Sequence, residues 1–245
     1  MADPTVSTGK AGLPKRFFRE ARAEAGEGGF VLSLDGRPAR TPGRAPLLLP
    51  TLGLGEAVAA EWNGQGDTID PATMPLTRLA NTAIDGVARE MEAVRADIAR
   101  YAGSDLVAYR AGEPATLVAA QDAAWEPVLG WAREALGARF VLSQGVMFVQ
   151  QPDDSLARVR ERLEAESSPF RLAALHVMTT LTGSVLIPLM HVAGALEAQA
   201  AWEAAHVDER YQESHWGQDA EAALRLERRE AEFVAASRLY RHVAD

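Results

Sequence analysis

The chain has 245 residues, enough to bury a core in one large domain or two small ones. Its net charge of −9 argues against general nucleic-acid binding, which needs clustered Lys and Arg. The absence of cysteine excludes disulfides, thiolate catalysis and cysteine-ligated zinc, and fits a reducing compartment.

The opening stretch MADPTVSTGKAG has no apolar core and an early Asp and Pro, so it reads as neither a secretory signal nor a transit peptide. Residues 1–14 are expected to form a disordered arm. The first 50 residues read as β. Phe30, Leu32 and Leu34 alternate with Val31, Ser33 and Asp35, and Asp35-Gly36 supplies a hairpin turn. Arg37–Thr41 reads as the return strand, pushed to a sheet edge by Pro38 and Pro42. Arg16–Glu20 and Leu47–Leu49 are further short strand candidates. The Gly-rich Gly26–Gly29 lacks the lysine, hydroxyl and following helix of a phosphate loop, and reads as a mobile entry to the next strand. Thr51 supplies an N-cap for a helix with Leu54, Val58 and Trp62 on one face.

From Pro75 the period becomes helical. Leu76, Ala80, Ile84, Val87, Met91, Val94 and Ile98 form one apolar stripe. Asp122–Leu136 predicts a helix with Trp125, Leu129, Ala132 and Leu136 inward and Pro127 near its first turn, where proline costs least. Arg139–Phe148 alternates weakly and reads as a short strand pair around Gly145. Ser155–Glu166 predicts a charged surface helix. Between Arg171 and Glu197 the chain carries no Asp, Glu, Lys or Arg, long enough to cross a bilayer. His176, Thr179, Thr180, Thr182, Ser184 and His191 inside it favour two buried helices broken near Thr182–Ser184. A soluble protein without membrane insertion is expected. The last 45 residues read as one or two long helices, with Leu226, Phe233 and Tyr240 on a shared face. The fold class is therefore α+β: a small antiparallel β-rich domain with one helix over 15–75, then a larger all-α domain over 76–245, joined near residues 70–76.

Reactive chemistry is thin. Glu203-x-x-His206 is half of a carboxylate-bridged di-iron motif and has no second half; a structural histidine is the better reading. Thr182-Gly183-Ser184 lacks the flanks of a nucleophile elbow, and the paired carboxylates lie on charged helix faces. No metal, cofactor or catalytic residue is expected.

Two segments stand out. Glu61–Asp85, EWNGQGDTIDPATMPLTRLANTAID, combines a helix-ending Trp62, a polar turn and two prolines without any nucleophile, and reads as the joint between the domains. In Ala205–Glu221 a helix would put Asp208, Tyr211, Gln212 and His215 on one face, with Glu209, Glu213 and Trp216 on its neighbour. Such an acidic and aromatic ridge suits partner recognition. The other reading is that Tyr211 and Trp216 pack on the core while the carboxylates face water.

At these segments the chain resembles the assembly chaperones of the α subunit of F-type ATP synthase. The similar stretches are Lys15–Phe18 (KRFF), Gly29–Pro38 (GFVLSLDGRP), Glu61–Asp85, Tyr109–Ala111 (YRA), Trp125–Trp131 (WEPVLGW) and Asp208–Glu221 (DERYQESHWGQDAE), in order from about residue 15 to about 235. The resemblance implies a β-rich domain followed by a helical one, and a protein that holds unassembled α subunit until the β subunit replaces it, without nucleotide, metal or enzymatic activity. It implies a functional role for Asp208 first and Glu209 second, and the ridge reading adds Tyr211, Gln212 and Trp216 to the expected partner-binding set. The matching Trp62 acts in contact or in folding. Two departures, Val107-Ala108 and Pro188-Leu189-Met190, read as core variation. A bacterial cytoplasmic protein, monomeric when free, is expected. Substitution of Asp208 or Glu209 is expected to weaken capture with little change in stability. The rival readings are a small-ligand-binding or regulatory protein with a closed cavity between its domains, and an acid/base hydrolase with a carboxylate of raised pKa.

Overall fold

The computed structural model describes residues 8–9, 12–145, 147–217 and 219–243. Most of the expected disordered arm lies outside them, although Thr8–Gly9 (β1) and Leu13–Pro14 (β2) pair antiparallel. The fold is α+β, with a small antiparallel sheet near the N-terminus and a larger helical part after it. Two compact units are present: Met1–Arg89 together with Arg241–Asp245, and Glu90–Tyr240.

In the first unit Ala21–Gly26 (β3) and Gly29–Leu34 (β4) form a six-residue antiparallel pair, from Ala21 opposite Leu34 to Gly26 opposite Gly29. The glycine cluster is therefore the hairpin turn itself rather than a loose entry loop. Gly29 has φ +155°, and a Cβ there would stand 2.4 Å from the Leu49 carbonyl oxygen. The strand that pairs with β4 is Ala21–Gly26, not the expected Arg16–Glu20, because the polar, Ala-rich sequence hides its alternation. Asp35 (φ 49°) and Gly36 (φ 77°) turn the chain into Arg37–Pro38 (β5), which extends only two residues. Leu48–Leu49 (β6) covers the other end of β4. Leu52–Asn63 (α1) buries Leu54 and Val58 and packs on β3 and β4 closely at Gly55, where a Cβ would stand 2.7 Å from that of Ala23. Thr51 caps the helix as expected, accepting from Leu54 N at 3.2 Å.

The stretch Glu61–Asp85 lies wholly inside this unit, so it is not a joint at residues 70–76. The cause is a set of polar clamps. Glu61 accepts from Leu76 N (2.7 Å), Thr77 N (2.8 Å) and Thr77 Oγ1 (2.7 Å), capping the start of Pro75–Asp85 (α2). Buried Gln65 donates to Glu61 O and Thr73 Oγ1 and accepts from Asp70 N. Asn63 clamps both backbone groups of Ala21 at 2.8 Å, and Asp85 accepts from Thr41 Oγ1 and Gly43 N. The single apolar stripe expected from Leu76 to Ile98 is two helices, because Gly86 ends α2 and a 3₁₀ turn over Val87–Arg89 precedes Met91–Arg100 (α3).

The second unit continues with Tyr109–Arg110 (β7), Ala115–Trp131 (α4), Ser143–Gln144 (β8), Asp153–Glu164 (α5), Pro169–Thr182 (α6), Leu186–Val192 (α7), Ala198–Ala205 (α8), Val207–Trp216 (α9) and, up to Tyr240, Ala220–His242 (α10). Its core holds Trp125, Leu163, Leu172, Leu175, Met178 and Phe233. Pro127 stands in the interior of α4, not near its first turn, because the helix starts at Ala115. The tail is three helices, the polar α9 interrupting the expected continuous pattern. Gly183, at φ 67°, ends α6 and separates it from α7, as the uncharged run predicts. Among the described residues no helix is long and apolar enough to cross a membrane. Asp105, wholly buried, bridges this break: it accepts from Val107, Val185 and Leu186 N–H at 3.2, 2.8 and 3.1 Å.

Candidate partner-binding surface

Helix α9 has no buried residue. A helix normally persists in a fold because one face is buried; α9 is held instead by polar bonds to α4. Asp208 accepts from Gln121 Nε2 at 2.7 Å, and the Tyr211 hydroxyl shares a 2.6 Å hydrogen bond with Thr116 Oγ1. Gln121 is itself buried and accepts from Ala111 N at 2.7 Å. One turn on, Trp125 donates from its indole to Ala204 O at 2.7 Å, fixing the end of α8 just before α9 begins. Asp208 and Glu209 occupy the first turn of α9, where carboxylates complement the helix N-terminus.

The predicted ridge thus divides. Asp208 and Tyr211 are half-buried and turned to α4, while Glu209, Gln212 and Trp216 are exposed, Trp216 at 79%. Tyr211 stacks on His215 with ring centres 4.2 Å apart, stiffening the exposed side. The packing alternative holds in part for Tyr211 and not for Trp216.

Beside this ridge α4, α8 and α9 enclose an open apolar hollow of about 490 Å³. Ala120, Ala123, Ala124, Ala200 and Ala204 line it, so helices with strong intrinsic propensity meet through side chains too short to fill the space. A Glu203–Arg210 ion pair at 3.2 Å stands at its rim. Also on α4, Asp122 (2.8 Å) and Glu126 (3.0 Å) bond buried Arg110, which rests over the Trp125 ring. Sequence reasoning picks out the YRA and WEPVLGW stretches but misses Gln121 and Arg110 as supports. The four-residue spacing of Gln121 and Trp125 is the available signal.

Trp62 belongs to the first unit. It is half-buried, packs edge-on against Phe18 with ring centres 5.5 Å apart, and lines an open hollow of about 600 Å³ with Phe17, Arg37 and Arg40. Its buried indole N–H has no acceptor among the described residues.

Three buried titratable groups, Asp105, His206 and His191, bond within the fold. Burial pushes the Asp105 carboxyl up to about 6, against the N–H groups that favour its charged form. Both oxygens are spent on those backbone bonds. His206 lies 3.7 Å from the Trp202 ring centre and donates from Nδ1 to Trp202 O, and burial holds it below the usual histidine range. His191 bonds Leu196 O and Ser237 Oγ. Among the described residues no group of three His, Cys, Asp or Glu could hold a metal ion.

Comparisons with known proteins give this arrangement its context. The family model described as ATP12 chaperone protein matches residues 15–133. The solved structure of Atp12 from Paracoccus denitrificans is similar at a TM-score of 0.88 and 38% identity, covering 94% of this chain and 98% of that one. An aspartate-to-lysine mutant of P. denitrificans Atp12p gives a TM-score of 0.87 at the same identity and coverage. A candidate chaperone from Agrobacterium tumefaciens is 43% identical, with a TM-score of 0.91, covering 95% of this chain and 87% of that one. A component of the NADH-quinone oxidoreductase of Streptomyces coelicolor is 32% identical over 195 residues, but the chain spans only 22% of its length. The agreement with Atp12 runs through both units and nearly the full length of each chain, and on that ground the chain belongs to the ATP12 family of chaperones for ATP synthase assembly.

Proposed function

We propose that this protein binds the unassembled α subunit of F-type ATP synthase, covers the surface that later meets β, and gives it up during assembly of the catalytic head. The observation that carries the reading is α9: a helix without a buried residue, stitched to α4 by Asp208 and Tyr211, that presents Glu209, Gln212 and Trp216 to solvent. Pre-ordered aromatic and polar groups beside an apolar hollow offer contact area at low ordering cost. An unassembled subunit exposes apolar surface that is prone to aggregate. Release follows from competition: β displaces the chaperone when its differential affinity for α is greater, and no hydrolysis is required. In this reading the protein works without cofactor, as a monomer in the bacterial cytoplasm, and Asp208 positions the ridge while Glu209 and Trp216 touch the client. Trp62 acts in the same reading through the hollow of the first unit.

The test is refolding of purified α subunit with and without this protein, followed by light scattering. The reading expects scattering to fall in proportion to added chaperone and to saturate near one copy per α. Unchanged scattering would refute it.

A further inference from the structure

The segment between the end of the α4 region and α5 exposes large apolar side chains on a braced frame. Weak alternation over Arg139–Phe148 predicts a short strand pair around Gly145. The structure has a different arrangement: β8 pairs in parallel with β7, and Val141, Leu142, Met147 and Phe148 all face solvent. Met147 and Phe148 are 73% and 74% exposed. Single exposed apolar residues are ordinary, but four in one short loop are not.

The loop is held in place at several points. Ser155 Oγ donates to Arg139 O (2.7 Å) and accepts from Arg139 N (2.8 Å). Buried Gln151 likewise accepts from Val141 N (2.8 Å) and donates to Val141 O (2.9 Å). Ser143 Oγ donates to Met147 O at 2.7 Å, and Gly145 N donates to Arg110 O at 2.9 Å. Polar side chains thus fix the frame while apolar ones face outward. A frame ordered in advance lowers the entropy lost on binding.

The chemistry of the loop selects its occupant. From Phe140 to Pro152 the chain carries no Asp, Glu, Lys or Arg. Binding to a membrane surface relies on Lys and Arg around the apolar residues. Here Arg139 is the basic residue bordering the run in sequence, and Arg110 beside it in β7 is buried and ion-paired, in a chain of net charge −9. An uncharged apolar projection fits an apolar protein groove. We infer that this loop is a second client contact, in which Leu142, Met147 and Phe148 enter an apolar groove of the unassembled α subunit. The inference rests on the α-subunit reading above.

The test compares wild type with the double variant Met147→Ser/Phe148→Ser in capture of purified α subunit, with thermal unfolding of both. A photo-crosslinking residue at position 148 of the otherwise unchanged chain gives an independent readout. The expected results are unchanged unfolding, capture weakened roughly tenfold or more, as for a buried aromatic anchor, and a crosslink from position 148 to α. If wild type holds α while the double variant holds it equally and position 148 gives no crosslink, this inference falls and the α-subunit reading stands. If wild type does not hold α, both fall. Flotation with anionic lipid vesicles that depends on Phe148 would overturn it in favour of a membrane contact.

Discussion

Gln121 Nε2 stands 2.7 Å from the Asp208 carboxylate, and this bond ties a buried amide of α4 to the first turn of a helix with no buried residue of its own. Asp208 is therefore part of the frame as well as part of the ridge. That alters the consequence of its substitution. Asp208→Ala leaves the buried Gln121 N–H group without its partner, costing about 1–3 kcal/mol. Glu209→Gln keeps the shape of an exposed side chain and should leave stability within about 0.5 kcal/mol. Urea unfolding of the two variants, set beside their capture of α, separates the roles: both weaken capture, and only Asp208→Ala shifts the midpoint. The small change in stability expected from sequence for both residues is thus predicted for Glu209 alone.

Trp216 gives the complementary case. Its side chain is 79% exposed, so Trp216→Ala should leave the thermal midpoint nearly unchanged. If the tryptophan anchors the client, capture weakens by on the order of tenfold or more, as interface tryptophans do. Titration of labelled α subunit against the variant checks this.

Glu61 makes three hydrogen bonds across the first unit, to Leu76 N, Thr77 N and Thr77 Oγ1. Glu61→Ala frees two N–H groups at the start of α2 and removes a carboxylate from a helix N-terminus, for a combined loss of about 1–3 kcal/mol. Chemical denaturation should show a lower midpoint with an unchanged slope. Glu61→Gln should fall between, since an amide oxygen satisfies only part of the set.

Asp105 and His206 give stability opposite pH dependences. Burial raises the Asp105 carboxyl to about 6 from an ordinary 3.8, so between those values the folded state holds a proton that the unfolded state lacks. Its contribution is least favourable above pH 6 and improves as pH falls towards 3.8. Burial lowers His206 below 6.5, so its neutral form favours folding above 6.5, and that stability is lost as pH falls through the folded value. Denaturation at about pH 7, 5.5 and 4.5 should therefore show the deficit of Asp105→Asn growing with acidity. The deficit of His206→Gln should shrink over the same range.

The parts of the fold that are legible in the sequence are those where one local rule acts alone. The Asp35-Gly36 turn, the Thr51 cap and the break at Gly183 each follow from the conformational needs of one or two residues. Where long-range polar bonds decide, no local rule is a guide. Periodicity carries one stripe through Leu76–Ile98, while Gly86 and the 3₁₀ turn over Val87–Arg89 divide it. Ala21–Gly26 escapes notice as a strand because its apolar face consists of alanines. At the candidate site the residue types of α9 are visible, but which of them bond inward depends on Gln121 and Thr116, about 90 residues earlier in the chain. The apolar residues of Arg139–Phe148 mislead for the same reason: Gln151 and Ser155 hold that frame from outside the segment.

The central claim is selectivity for one subunit, and the most direct measurement is a pull-down in which immobilised protein is offered purified α and β subunits separately. The account predicts retention of α and not of β, with bound α released when β is added afterwards. Retention of neither subunit, or of both equally, would contradict it.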